Sequence, residues 1–223
     1  MEKKDADLPP ILVIGTHRSG TTWAERMLAL SPNVHYVHEP FAPMYERSWL
    51  RNPPVARFHH QDPLQEGPYL DDVLAMVALR PSWLSIAGRA RGLRNWCRIG
   101  EEALHATLAR WRGARALVKD PFLLLSAEWF AAHTGARPIV LVRHPAAFAS
   151  SIKRLGWRLD VRWLLAQERL MKGYLRPFEQ ELRQEAKGES DLVDHACLVW
   201  RALNSVVARY AERYPEWLVV NGN

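Results

Sequence analysis

At 223 residues the chain is about one and a half times the roughly 150 residues of a typical domain, which predicts one domain carrying an insertion. Hydrophobic residues make up 48% and charged residues 24%, a balance that excludes disordered and collagen-like chains. The formal charge of +6 rests on 24 Arg and 6 Lys; arginine's planar fork suits phosphate, sulfate and carboxylate, so an anionic ligand fits, as does a plainly solvated surface.

Residues 1–8 are polar and charged and are expected to be disordered. Pro9 and Pro10 lead into Ile-Leu-Val-Ile at 11–14, a continuous apolar run of the kind found in buried parallel strands. Gly15 to Gly20 interrupts it. Trp23, Met27, Leu28 and Leu30 then recur at helical spacing until Ser31-Pro32-Asn33 stops the helix. A second strand is predicted over 34–37, closing on His38-Glu39-Pro40. Prolines break up 41–100, which predicts a helical and irregular insertion with one helix near 70–79. Trp49, Trp83 and Trp96 lie in it, either as core or as aromatic faces for an acceptor. An amphipathic helix follows over 101–112, then a strand over 116–118 closing on Lys119-Asp120-Pro121, then a helix over 123–133. The clearest strand is 139–142, which His144-Pro145 turns into a helix running through Ile152. Helices are predicted over 160–186 and 192–213, and a last apolar strand over 217–220.

Strands alternating with helices predict an α/β fold: three layers, with a parallel sheet of about five strands and helices on both faces, in one domain over 1–223. Ligands of such sheets sit beyond the C-terminal ends of the strands, and those ends carry the polar residues here. The apolar runs are far shorter than the ~20 residues of a membrane span, and no signal-like leader follows Met1. Cys97 and Cys197 are too few and too far apart for a disulfide framework or a zinc site. The basic residues form no single cluster of the nucleic-acid-binding kind. These readings predict a soluble, cytoplasmic protein without membrane or nucleic-acid partners.

The segment Gly15-Thr16-His17-Arg18-Ser19-Gly20-Thr21-Thr22 follows a strand and opens a helix. It keeps the G-x-x-x-x-G spacing and final Thr of the nucleotide P-loop, whose backbone N–H groups cradle an anion at a helix N-terminus. Thr21 stands where a nucleotide triphosphatase has its lysine, and the positive charge sits earlier, at Arg18. Such a cradle suits a shorter anion, such as a single 5′-phosphosulfate. The second segment runs from Arg143 at a strand end to Ser151, about two helical turns further on, where the two can grip one phosphate from two directions. Taken alone, Arg143 is more readily read as half of an ion pair.

Together, Arg18-Ser19-Gly20-Thr21-Thr22-Trp23 and the later Arg-x-Pro…Ser resemble the sulfotransferase family, which uses 3′-phosphoadenosine 5′-phosphosulfate (PAPS). The resemblance implies a P-loop-type fold and makes the first segment, His17 to Trp23, the 5′-phosphosulfate loop. It makes Arg143 and Ser151 the 3′-phosphate element. Tyr36-Val37-His38-Glu39-Pro40 is similar to the Tyr-x-x-Glu-Pro segment of carbohydrate sulfotransferases, in which the glutamate is a candidate general base. Lys119-Asp120-Pro121 resembles the Lys-x-Pro segment of heparan-type members, in which the lysine lies near the transferred group. The resemblance thus implies Glu39, Arg18 and Lys119 as catalytic residues, no metal, and a small-molecule or carbohydrate acceptor bearing a hydroxyl or amine. His17 and His38 either bond cofactor or acceptor or are solvated; Trp23 either stacks on adenine or packs on the sheet. A P-loop kinase stays open as an alternative through Asp120, which follows an apolar run. Family members usually continue after the last strand into Arg-Tyr-Glu-Asp-Leu or similar, where this chain has Asn221-Gly222-Asn223. The expectation is therefore a C-terminally truncated member, with a non-catalytic nucleotide-binding protein as a further alternative.

Overall fold

The structure is a computed structural model and describes residues 8–43, 48–188 and 190–222. The expectation for the first eight residues therefore falls, except at Leu8, outside the described residues. Five strands form one parallel sheet: β1 (Ile11–Gly15), β2 (Val34–His38), β3 (Arg115–Lys119), β4 (Arg137–Arg143) and β5 (Leu218–Gly222), in the order β2-β3-β1-β4-β5. β1, buried on both sides, pairs Val13 with Lys119 on β3 and Ile139 on β4. The chain leaves β1 toward one edge and later crosses to β4 on the other side, so the end of β1 is the topological switch point where α/β sheets bind ligands.

The two faces are covered unequally. On one, α1 (Thr21–Leu28) lays Ala24 and Leu28 against Val13, Leu117 and Leu141, while Leu218 on the same face of β5 stays 57% exposed. The other face carries the main core, where Leu12, Ile14, Val118 and Val140 meet side chains from α2 (Leu70–Val77), α5 (Ala127–Thr134), α6 (Pro145–Leu155) and α10 (Leu192–Arg213). Burial of that apolar surface is the main stabilising term. Among the described residues no helix is long and apolar enough to cross a membrane.

Four helical expectations change. A further helix, α3 (Trp83–Arg89), follows Pro81, and α4 (Leu93–Trp111) starts eight residues before the predicted 101. Gly100 lies inside α4 on an open face, where a glycine weakens a helix by about 1 kcal/mol without ending it. Over 160–186 the continuous helix is replaced by α7 (Arg162–Leu165), α8 (Glu168–Leu170), a π turn (Met171–Leu175), a 3₁₀ turn (Arg176–Phe178) and α9 (Glu179–Glu185). Gly173 lies within the π turn, and Pro177, which has no N–H to donate, opens the 3₁₀ turn. The helix expected over 123–133 likewise begins as a 3₁₀ turn (Pro121–Ser126) capped by Asp120. Trp49 and Trp83 pack edge to face, 5.0 Å apart, while Trp96 stays exposed.

Candidate active site

The loop after β1 is shaped by close approach. A Cβ on Gly15 would lie 2.4 Å from the Leu141 carbonyl oxygen and 2.5 Å from Ser19 Oγ, so only glycine fits there. Ser19 N–H donates to the Thr16 carbonyl (3.1 Å), Arg18 sits at φ 66° and Gly20 at φ 95°, and α1 then starts without a side-chain cap. The first N–H groups of an uncapped helix lack intrahelical partners and carry its positive dipole end. The Thr16 and Ser19 hydroxyls are buried in the same loop with no hydrogen-bond partner. Orphaned buried donors beside an uncapped helix N-terminus fit an anionic group.

The two sequence segments meet here. Arg18 Nε donates to Ser151 Oγ across 3.0 Å, and Arg143 Nη1 donates to the Arg18 carbonyl across 2.7 Å. Ser151 is held on α6, whose start is set by Pro145 and by the His144 ring, which accepts from Ala146 N–H. The Arg143 carbonyl accepts from Trp200 Nε1 of α10 (2.8 Å), so that strand end is anchored from both sides. Trp23 is 69% exposed and does not pack on the sheet. Thr21 is buried and Thr22 exposed at the start of α1.

On the other side of the loop, Lys119 Nζ is paired with Glu39 Oε1. Lys119 is only 2% exposed, so its charge is held inside the protein beside Glu39. Glu39 N–H donates to the Lys119 carbonyl (2.9 Å), prolonging the β2–β3 ladder, and Glu39 has φ 39° immediately before Pro40. A non-glycine residue held in that region, against the preference imposed by a following proline, marks strain of the kind that collects at functional sites. Arg18, Glu39 and Phe58 are three of the four described non-glycine residues with positive φ, and all three border this site.

His17 is enclosed rather than solvated. Its ring lies 4.5 Å from Phe122, 4.9 Å from Trp157 and 5.1 Å from Phe58, each in edge-on contact. Burial, helped by the charges of Arg57 and Lys119, lowers its pKa to about 3, so the imidazole is neutral at physiological pH. His38 bonds through Nδ1 to the Tyr36 hydroxyl. Asp120 is fully buried; its two oxygens accept from Phe41 N–H (2.6 Å) and Phe122 N–H (2.8 Å), and burial raises its pKa to about 7. With both oxygens occupied by backbone, Asp120 locks the end of β3 to the segments beside it, which disfavours the magnesium-binding role of the kinase alternative.

Phe58, Phe122 and Trp157 went unmarked by the sequence reading, because nothing local indicates that three distant rings close around His17.

The Sulfotransferase family model matches residues 9–192, which include all of these residues except Trp200. The chain belongs to the sulfotransferase family. Among solved structures it is similar to the sulfotransferase domain from the curacin biosynthetic pathway, at 15% identity and TM-score 0.46, covering 96% of this chain and 67% of that one. It is also similar to the sulfotransferase domain from the Synechococcus PCC 7002 olefin synthase, at 15% identity and TM-score 0.44, covering 99% of this chain and 68% of that one. A third similar structure is sulfotransferase STF9 from Mycobacterium avium, at 17% identity and TM-score 0.42, covering 98% of this chain and 60% of that one. Among curated proteins, none matches the sequence. Within the family match, the loop after β1 and the β4–α6 corner are 133 residues apart at Arg18 and Ser151 and joined by one hydrogen bond.

Proposed function

We propose that the protein transfers a sulfuryl group from PAPS to a hydroxyl or amine of an acceptor. The observation that carries this reading is the bridge from Arg143 and Ser151 to Arg18, which joins the loop after β1 to the β4–α6 corner at one strand-end crevice. PAPS supplies the sulfuryl group and a good leaving group; the protein's part is positioning and charge. The first-turn N–H groups of α1 with Ser19, Gly20, Thr21 and Thr22 would hold the 5′-phosphosulfate. Arg143 and Ser151 would hold the 3′-phosphate, and the exposed Trp23 would present its ring to the adenine.

Glu39 would take the proton from the acceptor O–H or N–H as the new bond to sulfur forms. The bond from sulfur to the bridging oxygen breaks, and its electron pair stays on the departing phosphate. Lys119, already buried beside Glu39, would balance the charge that grows there, together with the loop N–H groups. Arg18 faces Ser151 in this structure, so its guanidinium serves the nucleotide side before it can serve the bridging oxygen.

Calorimetric titration with the desulfated product, 3′-phosphoadenosine 5′-phosphate (PAP), and with ATP plus magnesium in parallel tests this reading. Binding of PAP alone is expected. Magnesium-dependent binding of ATP without PAP binding would favour the kinase. PAP binding without transfer to any acceptor would leave a nucleotide-binding protein.

A further inference from the structure

The chain offers two very different cavities near the site. The one behind His17 is walled by Phe58, Phe148, Trp157 and Leu203 and encloses about 10 Å³, room for a single water at most. The other is an open cleft of about 750 Å³ between α1, the outer edge of β2 and α4, a size typical of small-molecule sites. Thr22 and His38 are among its lining residues; Thr22 belongs to the loop after β1, and His38 pairs in register with Lys119 and precedes Glu39. The cleft therefore opens beside the Lys119–Glu39 pair.

Its wall is mixed, with charged and hydrogen-bonding groups set among apolar surface from Pro32, Val34, Ala109 and the Tyr36 ring. α4 contributes Arg98, Glu102 and His105, which recur at helical spacing on one face, and α1 contributes Glu25 and Arg26. Among the described lining residues the aliphatic ones are only Pro32, Val34 and Ala109. Glu25 is the unusual member: it is 5% exposed, yet Oε2 has no hydrogen-bond partner. The Tyr36 hydroxyl bonds the Glu25 carboxyl and His38 Nδ1, so Glu25, Tyr36 and His38 form one chain along the wall. A buried carboxylate oxygen without a donor costs free energy unless a ligand supplies one.

We infer that this cleft binds the acceptor, that the acceptor is a neutral polyhydroxylated molecule of the carbohydrate type, and that Glu25 receives a hydrogen bond from one of its hydroxyls. The inference rests on the sulfuryl-transfer reading for the word acceptor. Arginine only donates and ionised glutamate only accepts, whereas a sugar hydroxyl does both and satisfies the two sets together. Arg26, Arg98 and Arg112 are balanced by Glu25, Glu101 and Glu102, so a strongly charged acceptor of either sign meets like charge in the cleft. The apolar part of the lining, including the Tyr36 ring, suits the C–H faces of a sugar ring, while the charged groups set among it leave a wholly apolar acceptor with unmatched polar groups.

Saturation-transfer NMR with cellotetraose, chitotetraose and maltotetraose, and with 4-nitrophenol for comparison, tests the assignment in the absence of nucleotide. At least one tetrasaccharide is expected to bind, and Glu25→Gln and Arg98→Ala are each expected to weaken it about tenfold. Arg98 is exposed on α4, so its variant decides the matter should the Glu25 variant not fold. PAP affinity is measured on the same samples. A chain that binds a tetrasaccharide in this cleft but not PAP keeps the carbohydrate site and loses the transfer reading. Failure of all three tetrasaccharides to bind, binding unchanged in the variants, or binding of 4-nitrophenol alone overturns the assignment.

Discussion

Arg143 acts on two neighbours at once: its guanidinium holds the Arg18 carbonyl, and its own carbonyl is held by Trp200. Replacing Arg143 by Ala should therefore weaken PAP binding by about 1.5–3 kcal/mol, the range for a hydrogen bond to a charged group, as read by calorimetry. Unchanged affinity would remove the residue from the site. Glu39 carries a different expectation. Glu39→Gln keeps its shape beside Lys119 but cannot accept a proton, so sulfuryl transfer should fall at least about 100-fold while PAP affinity holds. A variant as fast as the parent would end its assignment as the base. The positive φ of both Arg18 and Glu39 places these side chains where extended or helical backbone could not.

At the scale of the element, β1 and α1 are joined by a turn whose two glycines serve different ends. Gly15 is required by space, because a methyl group would strike the Leu141 carbonyl and Ser19 Oγ. Gly20 is required by backbone angle, since a Cβ there would meet nothing within 4 Å but φ is 95°. Gly15→Ala is thus expected to cost about 1–3 kcal/mol through overpacking. Gly20→Ala is expected to cost about 1–2 kcal/mol through left-handed strain alone. Urea denaturation measures both, and a wedge between β1 and β4 should also lower PAP affinity, because it displaces the loop that Arg143 holds. If Gly15→Ala were as stable as the parent, β1 would not pack this closely on β4.

Across the whole molecule, stability against pH is set by opposed buried groups. His17 is depressed to about 3 and His35 to about 4, chiefly by burial. The unfolded chain binds those protons near 6.5 and the folded chain does not, so their contribution is present above about 6.5 and lost as pH falls toward those values. Asp120 has the opposite sign: burial raises it to about 7, so its contribution is fully present below its unfolded value near 3.8 and lost as pH rises through about 7. The clean readout is therefore a difference. The stability gap between the parent and His17→Gln should narrow as the pH is lowered from about 7 to about 5, in urea midpoints measured at each pH. A gap that stays constant would show that His17 is not held neutral by its three aromatic neighbours.

The strands were legible because each is a short apolar run bounded by proline, glycine or a charge, and local patterning alone predicts such runs to within one or two residues. The same holds for the loop over 15–22, whose glycine spacing states its turn and gave the expectation of an anion cradle. The Arg18-to-Trp23 and Arg143-to-Ser151 segments carried the family resemblance for that reason. Helix boundaries were less legible: the helix expected from 101 starts at Leu93 and runs through Gly100, because packing against the sheet edge outweighs a propensity cost of about 1 kcal/mol. What the tertiary structure alone decided is which distant groups meet. The bond from Arg18 to Ser151, the pairing of Lys119 with Glu39, the ring cage of His17 and the orphaned oxygen of Glu25 depend on strand order and on burial. Neither is written in local spacing, because burial and charge at a residue are set by neighbours that lie tens of residues away along the chain.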